Sequence, residues 1–178
     1  MTAQNAEFKM TYLDLQAYAS VTKHMGGFEA TKELLSLCHI EGAQEVLDVG
    51  CEIGVGPVHI TKTYGCRVVD VDISEKMSEW AQQRAKQERV EDRVEFRTAD
   101  VLDLPFEADR FDVVICESVL AFIEDKPRAI RELVRVVKPS GYVGLNEALW
   151  IEGPPPERAE QVLEWGTNIL TAEAWQAL

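Results

Sequence analysis

The stretch Val46–Pro57, reading VLDVGCEIGVGP, holds the residues best suited to chemistry. An apolar run of Val46, Leu47 and Val49 encloses one acid, Asp48, and meets three glycines, Gly50, Gly54 and Gly56, where a helical pattern begins. Such a run turns sharply from a buried strand into a helix. Glycine admits positive φ and lets a ligand approach the backbone with no Cβ in the way, and the first amides of the helix face an anionic group. A nucleotide-like ligand suits that loop. Acids recur at matching places downstream. Asp72, about 20 residues beyond Gly50, is placed to accept hydrogen bonds from the two hydroxyls of a ribose. Asp100 can accept from an exocyclic amine such as that of adenine while Val101 lies against the ring, and Glu117 follows the apolar run FDVVIC. Each has an ordinary alternative. Asp72 and Ser74 can simply start the next helix, and an Asp after a strand is most often a turn residue. With Ser74 as the cap, Asp72 is freed for a ligand.

The elements that must position these residues alternate. After the strand at Val46 come a helix from Val58 to about Tyr64, a strand Cys66–Val71, and a helix Ser74–Val90 with Met77, Trp80, Ala81 and Ala85 inward. A strand Arg93–Thr98, a loop Asp103–Arg110 and a near-continuous apolar strand Phe111–Cys116, of the kind buried on both faces, follow. Asp125 as N-cap and Pro127 in the first turn open a helix through Val137, with Ile130, Leu133, Val134 and Val137 as its buried stripe. Pro139-Ser140-Gly141 stops it, and Tyr142–Ala148 is a fifth strand. This order gives parallel strands with right-handed crossovers, an α/β doubly wound sheet that binds ligands at its carboxyl edge.

Upstream, a loose helical pattern over Thr11–Met25 breaks at Gly26-Gly27, and a second helix runs from Phe28 to about Ile40 with Thr31, Leu34, Leu35 and Cys38 on one side. These helices either pack on the sheet or form a lid, to which Tyr12, Tyr18 and His24 would belong. Downstream, Gly153-Pro154-Pro155-Pro156 is a stiff break, Glu157 to about Leu170 is helical, and Thr171–Leu178 starts one more helix. The expectation is a single domain over residues 1–178, with helices at 1–42, a ligand-binding core at 43–149 and a helical end at 150–178.

A net charge of −13 repels a phosphate backbone and an anionic leaflet alike, which argues against nucleic acid and membrane as partners. Cys38, Cys51, Cys66 and Cys116 lack the pairing of a metal site and the density of a disulfide framework, so free thiols in a reducing compartment are expected. No stretch approaches the ~20 apolar residues of a membrane span, and the start has no leader pattern. A soluble, cytoplasmic protein is expected.

In order and spacing, VLDVGCEIGVGP, CRVVDVDIS, TADVLDLPF, FDVVICESVLAFIED and RELVRVVKPSGYVGLNE resemble the class I S-adenosylmethionine-dependent methyltransferases of the small-molecule type, over more than half the chain. The resemblance implies a Rossmann-like, mostly parallel sheet of order 3-2-1-4-5 with helices on both faces and N-terminal lid helices. It implies that Asp48, Gly50, Cys51, Gly54 and Gly56 lie beneath the methionine part of the cofactor. Asp72 and Ile73 would hold the ribose and flank the adenine, with Met77 nearby, Asp100 and Val101 would meet the adenine, and Glu117 would face the methionine end. Family members usually continue past a segment like LTAEAWQAL with a helix and two antiparallel strands. Nothing here supplies them: either the chain has been shortened, or a further part is not seen, or the sheet has five strands with an edge that a partner chain, such as a second copy, could cover. Glu52 stands where the family has glycine, Phe122 where it often has His, and Ser140 at the first glycine of its usual Pro-Gly-Gly.

Methyl transfer from a sulfonium is an in-line displacement that needs alignment and exclusion of water, with a general base optional. Glu117, Tyr18 and His24 are the candidates near the methyl, and Glu117 is better suited to attracting the cofactor's positive charge. The acidic balance, and the absence of an Asn/Asp-Pro-Pro-aromatic signature after the fourth strand, favour a small-molecule acceptor. Two alternatives remain: a non-catalytic module that binds the cofactor or a partner, suggested by Glu52, and a nicotinamide-dependent oxidoreductase, disfavoured because no G-x-G-x-x-G is present.

Overall fold

The computed structural model describes residues 26–42, 44–50, 52–164 and 166–178. The first expected helix, with Tyr12, Tyr18 and His24, and also Cys51, lies outside the described residues. The chain runs α1 (Gly27–Leu37), β1 (Glu45–Val49), α2 (Val55–Tyr64), β2 (Arg67–Asp72), α3 (Glu75–Gln87), β3 (Val94–Thr98), β4 (Phe111–Glu117), a 3-10 turn at Leu120–Phe122, α4 (Lys126–Val136) and β5 (Val137–Asn146). All neighbouring strands of the main sheet are parallel and the order is β3-β2-β1-β4-β5, as the alternation and the resemblance lead one to expect. The order reverses at β1. Val49 there lies between Val71 and Cys116, which opens a crevice beyond the strand ends.

Alternate side chains of each strand feed two cores. Leu47, Val69 and Val114 pack with Leu133 and Val136 of α4, while Val46, Val68 and Ile115 pack with Leu35, Val58, Ile60 and Ala85 from α1, α2 and α3. Helices therefore cover both faces of the sheet. Each fully buried Leu, Ile or Val contributes about 1.5–3 kcal/mol, which is why the strands read as apolar runs. α1 is a packing helix: Thr31, Leu35 and the following Cys38 are buried, and Cys38 Sγ lies against Gly144 of β5.

Two expectations around α4 need correcting. Asp125 does cap the helix, accepting from the Arg128 N–H at 3.0 Å. The buried residues of the helix, however, are Lys126, Ala129, Leu133 and Val136, with Ile130 packed against the same core; Val134 is 56% exposed, and Val137, buried as expected, already belongs to β5. Positions four before and three after Leu133 share its helix face, whereas the next residue is rotated away. Pro139-Ser140-Gly141 does not separate helix from strand but lies inside β5. Val137 pairs with Phe111, the chain detours, and pairing resumes at Tyr142 opposite Val113. Proline, having no N–H to give the ladder, is tolerated in such a bulge. A Cβ on Gly141 would stand 2.4 Å from the Asp112 carbonyl oxygen, so the detour needs glycine there.

Beyond β5, β6 (Leu149–Trp150) and β7 (Leu170–Thr171) form a small parallel pair around α5 (Pro156–Glu164), followed by α6 (Ala172–Gln176). The helix expected to reach Leu170 ends at Glu164: Gly166 has φ +75°, and Thr167 Oγ1 donates to the Val162 carbonyl at 2.9 Å. Thr171 caps α6, and Trp175 packs against the α4-side core. No described helix is long and apolar enough to cross a membrane.

Candidate functional site

A cavity of about 480 Å³ opens beyond the carboxyl ends of β1, β2 and β4. Its first wall is the loop after β1. Gly50, at φ +82°, donates its N–H to the Val71 carbonyl at 2.7 Å, and a Cβ built on it would stand 2.2 Å from Val119 Cγ2. Glu52, also on the wall, takes φ +52°. That left-handed backbone explains why a glycine is the ordinary occupant of such a position. Gly54 and Gly56 stand behind the wall. A Cβ on Gly54 would meet Ala81 at 2.8 Å, and one on Gly56 would meet Asp48 Oδ2 at 2.8 Å, so they let α2 seat against α3 and over Asp48. Asp48 is 7% exposed. Burial, then the neighbouring carboxylates of Glu117 and Asp72, push its carboxyl up to about 8.

The second wall follows β2 and β3. Asp72 ends β2, and Ser74 caps α3 by accepting from the Met77 N–H at 3.4 Å. The cap does not free Asp72: its Oδ1 accepts from the Ser74 N–H at 2.8 Å, a local Asx turn. Burial raises the Asp72 carboxyl, while bonds from the Ser74 and Glu52 backbones oppose the rise. Ile73 is 74% exposed at the cavity mouth, an unusual place for so large an apolar group. Met77 is buried beneath, outside the lining. Asp100 makes the turn that its bland alternative requires, Oδ1 accepting from Leu102 N–H at 2.9 Å, and also lines the cavity with Val101.

The third wall comes from β4, the turn after it, and the end of the chain. Glu117 Oε2 accepts from Asn146 Nδ2 at 2.9 Å and from Thr31 Oγ1 at 3.3 Å, so two other elements orient its carboxylate. Val119, Ala121, Phe122 and Ile123 supply apolar lining, and Thr167 and Ile169 close that side, tied on by the Asn168 N–H donating to the Ala121 carbonyl at 2.7 Å. Five acids line the cavity, Glu52, Asp72, Asp100, Glu117 and Glu147, with no Lys, Arg or His among the described residues that do so.

Gly50, Asp72, Ile73, Asp100, Val101 and Glu117 thus meet on one cavity, with Asp48, Gly54, Gly56 and Met77 a layer behind. Sequence reasoning missed Glu147, Val119, Thr167 and Ile169. A signal existed for Glu147: like Asp72 and Glu117, it is an acid at the carboxyl end of a sheet strand.

Residues 47–145 match a family model described as a methyltransferase domain. Phosphoethanolamine N-methyltransferase 1 of Triticum aestivum is 35% identical over 132 residues, covering 74% of this chain and 26% of that protein. The 27-O-demethylrifamycin SV methyltransferase of Amycolatopsis mediterranei is 32% identical over 79% of this chain and 52% of its own length. The chain therefore spans between about a quarter and about half of these two relatives. Among solved structures, the MccD protein superposes with TM-score 0.80 at 22% identity, over 88% of this chain and 70% of that one. Geranyl diphosphate C-methyltransferase of Streptomyces coelicolor, determined with Mg2+, geranyl diphosphate and S-adenosyl-L-homocysteine, gives 0.72 at 21% identity over 82% and 54%. These two structural likenesses speak to the fold. With the family model matching more than half its length, across the strands and loops that build the cavity, the chain belongs to the methyltransferase-domain family, whose cofactor is S-adenosylmethionine.

Proposed function

We propose that this chain binds S-adenosylmethionine in the cavity beyond β1, β2 and β4 and transfers its methyl group to a small molecule. The carrying observation is the convergence of Gly50, Asp72, Asp100 and Glu117, from four different strand ends, on one cavity. The residues suit the group. A volume of about 480 Å³ falls within the usual range for small-ligand pockets, the acids match hydroxyls, an amine and a sulfonium, and a side chain at residue 50 would fill the cradle. When bound, the cofactor supplies a methyl group already activated by the sulfonium charge.

Asp72 accepts the ribose hydroxyls, Asp100 the adenine amine, and Ile73 and Val101 flank the ring. Glu117, steadied by Thr31 and Asn146, attracts the positive end, while Gly50 lets the backbone come close and Asp48, Gly54, Gly56 and Met77 back the loop. Aligning the partners and excluding water is the work left to the protein, and the apolar third wall performs the second task. The acceptor is a small molecule with an apolar body and no phosphate. The lining on that side is Val119, Ala121, Phe122, Ile123 and Ile169, and an acceptor phosphate there would face Glu117 and Glu147. This sets the chain apart from the wheat relative, whose name specifies phosphoethanolamine.

Calorimetric titration with S-adenosylhomocysteine tests the cofactor assignment, and incubation of a metabolite pool with labelled cofactor tests transfer. Saturable binding with label in an apolar product supports the proposal; absent binding overturns it. Glu52, which brings a charge into the glycine-loop wall, favours a second reading as a binding module. Binding with no labelled product would select it.

A further inference from the structure

The turn at residues 118–123 gives every one of its backbone N–H groups an acceptor. Ser118 donates to the Asn146 carbonyl at 2.7 Å, Phe122 to Val119 at 3.0 Å and Ile123 to Leu120 at 3.1 Å. The three between them go to a single side chain. Glu147 Oε1 accepts from Val119 N–H at 2.9 Å and Leu120 N–H at 2.7 Å, and Oε2 from Ala121 N–H at 3.3 Å. At the far end, Lys126, only 3% exposed, donates from Nζ to the Ile123 carbonyl at 2.8 Å.

Loops at a sheet edge ordinarily satisfy their backbone with water or local turns. This one is fastened at its start by a carboxylate from beyond β5 and at its finish by an ammonium from α4. Removing two charges from water is unfavourable unless each is fully hydrogen-bonded. Burial accordingly pushes the Glu147 carboxyl up, opposed by its three N–H partners, and pushes the Lys126 ammonium down, opposed by Glu147. The bonds that offset burial are those that hold the turn.

What the turn holds is functional. Val119, Ala121, Phe122 and Ile123 line the cavity, and Val119 Cγ2 occupies the space a side chain at Gly50 would take. We propose that Glu147 and Lys126 are positioning residues: acting through the 118–123 turn, they seat it against Gly50 before a ligand arrives and so preorganise the cavity. The inference rests on the methyltransferase reading for its ligand and on the hydrogen bonds alone for the clamp. Preorganised walls spare a ligand the cost of ordering them on binding.

The test compares the whole chain with its Glu147→Gln, Glu147→Asp and Lys126→Met variants, by amide hydrogen exchange and by titration with S-adenosylhomocysteine. Gln has one acceptor oxygen in place of two and no charge. Glu147→Gln should exchange the Val119, Leu120 and Ala121 amides at least about tenfold faster, the scale for losing a hydrogen bond to a charged group, while Leu47, Val69 and Val114 in the sheet keep their protection. The Kd for S-adenosylhomocysteine should rise by about the same factor, and Glu147→Asp, which keeps the charge, should restore part of both. Lys126→Met should instead speed Phe122 and Ile123, and it carries the test if Glu147→Gln fails to fold. Unchanged turn amides in the folded variants, or loosened amides with unchanged Kd, overturn the proposal. A parent chain that ignores S-adenosylhomocysteine overturns the cofactor reading alone, and the exchange data still decide the clamp.

Discussion

The glycine loop after β1 and the turn after β4 face each other across one cavity and are held by opposite means. The glycine loop is shaped by its own residues: Gly50, Glu52 and Gly54 take positive φ within five positions, and Gly50 bonds directly to β2. The turn after β4 is composed of ordinary residues with Ser118 alone at positive φ, and it keeps its shape because Glu147, as much as 28 positions away, accepts three of its amides. The glycine loop is set mainly by local conformation, with added bonds from Gly50 to Val71, from the Glu52 backbone to Asp72 and from Arg84 Nε to the Ile53 carbonyl at 2.9 Å, whereas the turn after β4 depends on one distant carboxylate. Substitutions should therefore act by backbone strain on the first and by lost hydrogen bonds on the second.

Gly50→Ala should have the largest effect because it strikes both walls: it forces a Cβ to positive φ and into Val119. We expect a loss of about 3 kcal/mol in denaturant unfolding and no measurable S-adenosylhomocysteine binding; a mild variant would mean that the walls are not in register. Next comes Asp48. Its carboxyl stands at about 8 in the folded chain against 3.8 ordinarily, so the fold binds this proton more tightly than the unfolded chain does. That contribution is fully present below about 3.8 and is lost as pH rises through about 8. Asp48→Asn should flatten the fall in stability between these limits, and parallel curves for parent and variant would refute the assignment.

On the wall that follows β2 and β3, which neither device holds, Asp72→Ala should weaken S-adenosylhomocysteine binding by about 1–3 kcal/mol, read by calorimetry, with unchanged affinity removing the ribose assignment. The smallest effect sharpens the contrast most. Glu52→Gly relieves left-handed strain and should raise stability by about 1 kcal/mol without weakening the ligand. A destabilised variant would show that the Glu52 side chain holds the loop in a way its backbone does not reveal.

The same division decided what could be seen in advance. The strands, their parallel direction and the acids of the carboxyl edge were legible because apolar runs, glycines and acids mark them within a few residues, while the order of the strands came from the family resemblance. Asp125 announced its helix by the same local logic. Glu147 carried the same strand-end signal, but its hold on the turn was not legible, since its partners lie in another element and nothing next to it speaks of three distant amides. The β5 detour was misread because Pro139-Ser140-Gly141 has the composition of a terminator, and only pairing with β4 on either side turns it into a bulge. The parts played by Thr167 and Ile169 depended on where Gly166 ends a helix and on the Asn168 bond to Ala121, both invisible to periodicity.

The short segment carrying Val119 and Ala121 works like the keystone of an arch. One methyl group bears on the glycine side, and one carbonyl carries the thrust of the chain's final stretch. A guest that presses on Val119 therefore acts on the stretch bonded to Ala121 as well as on the glycine loop.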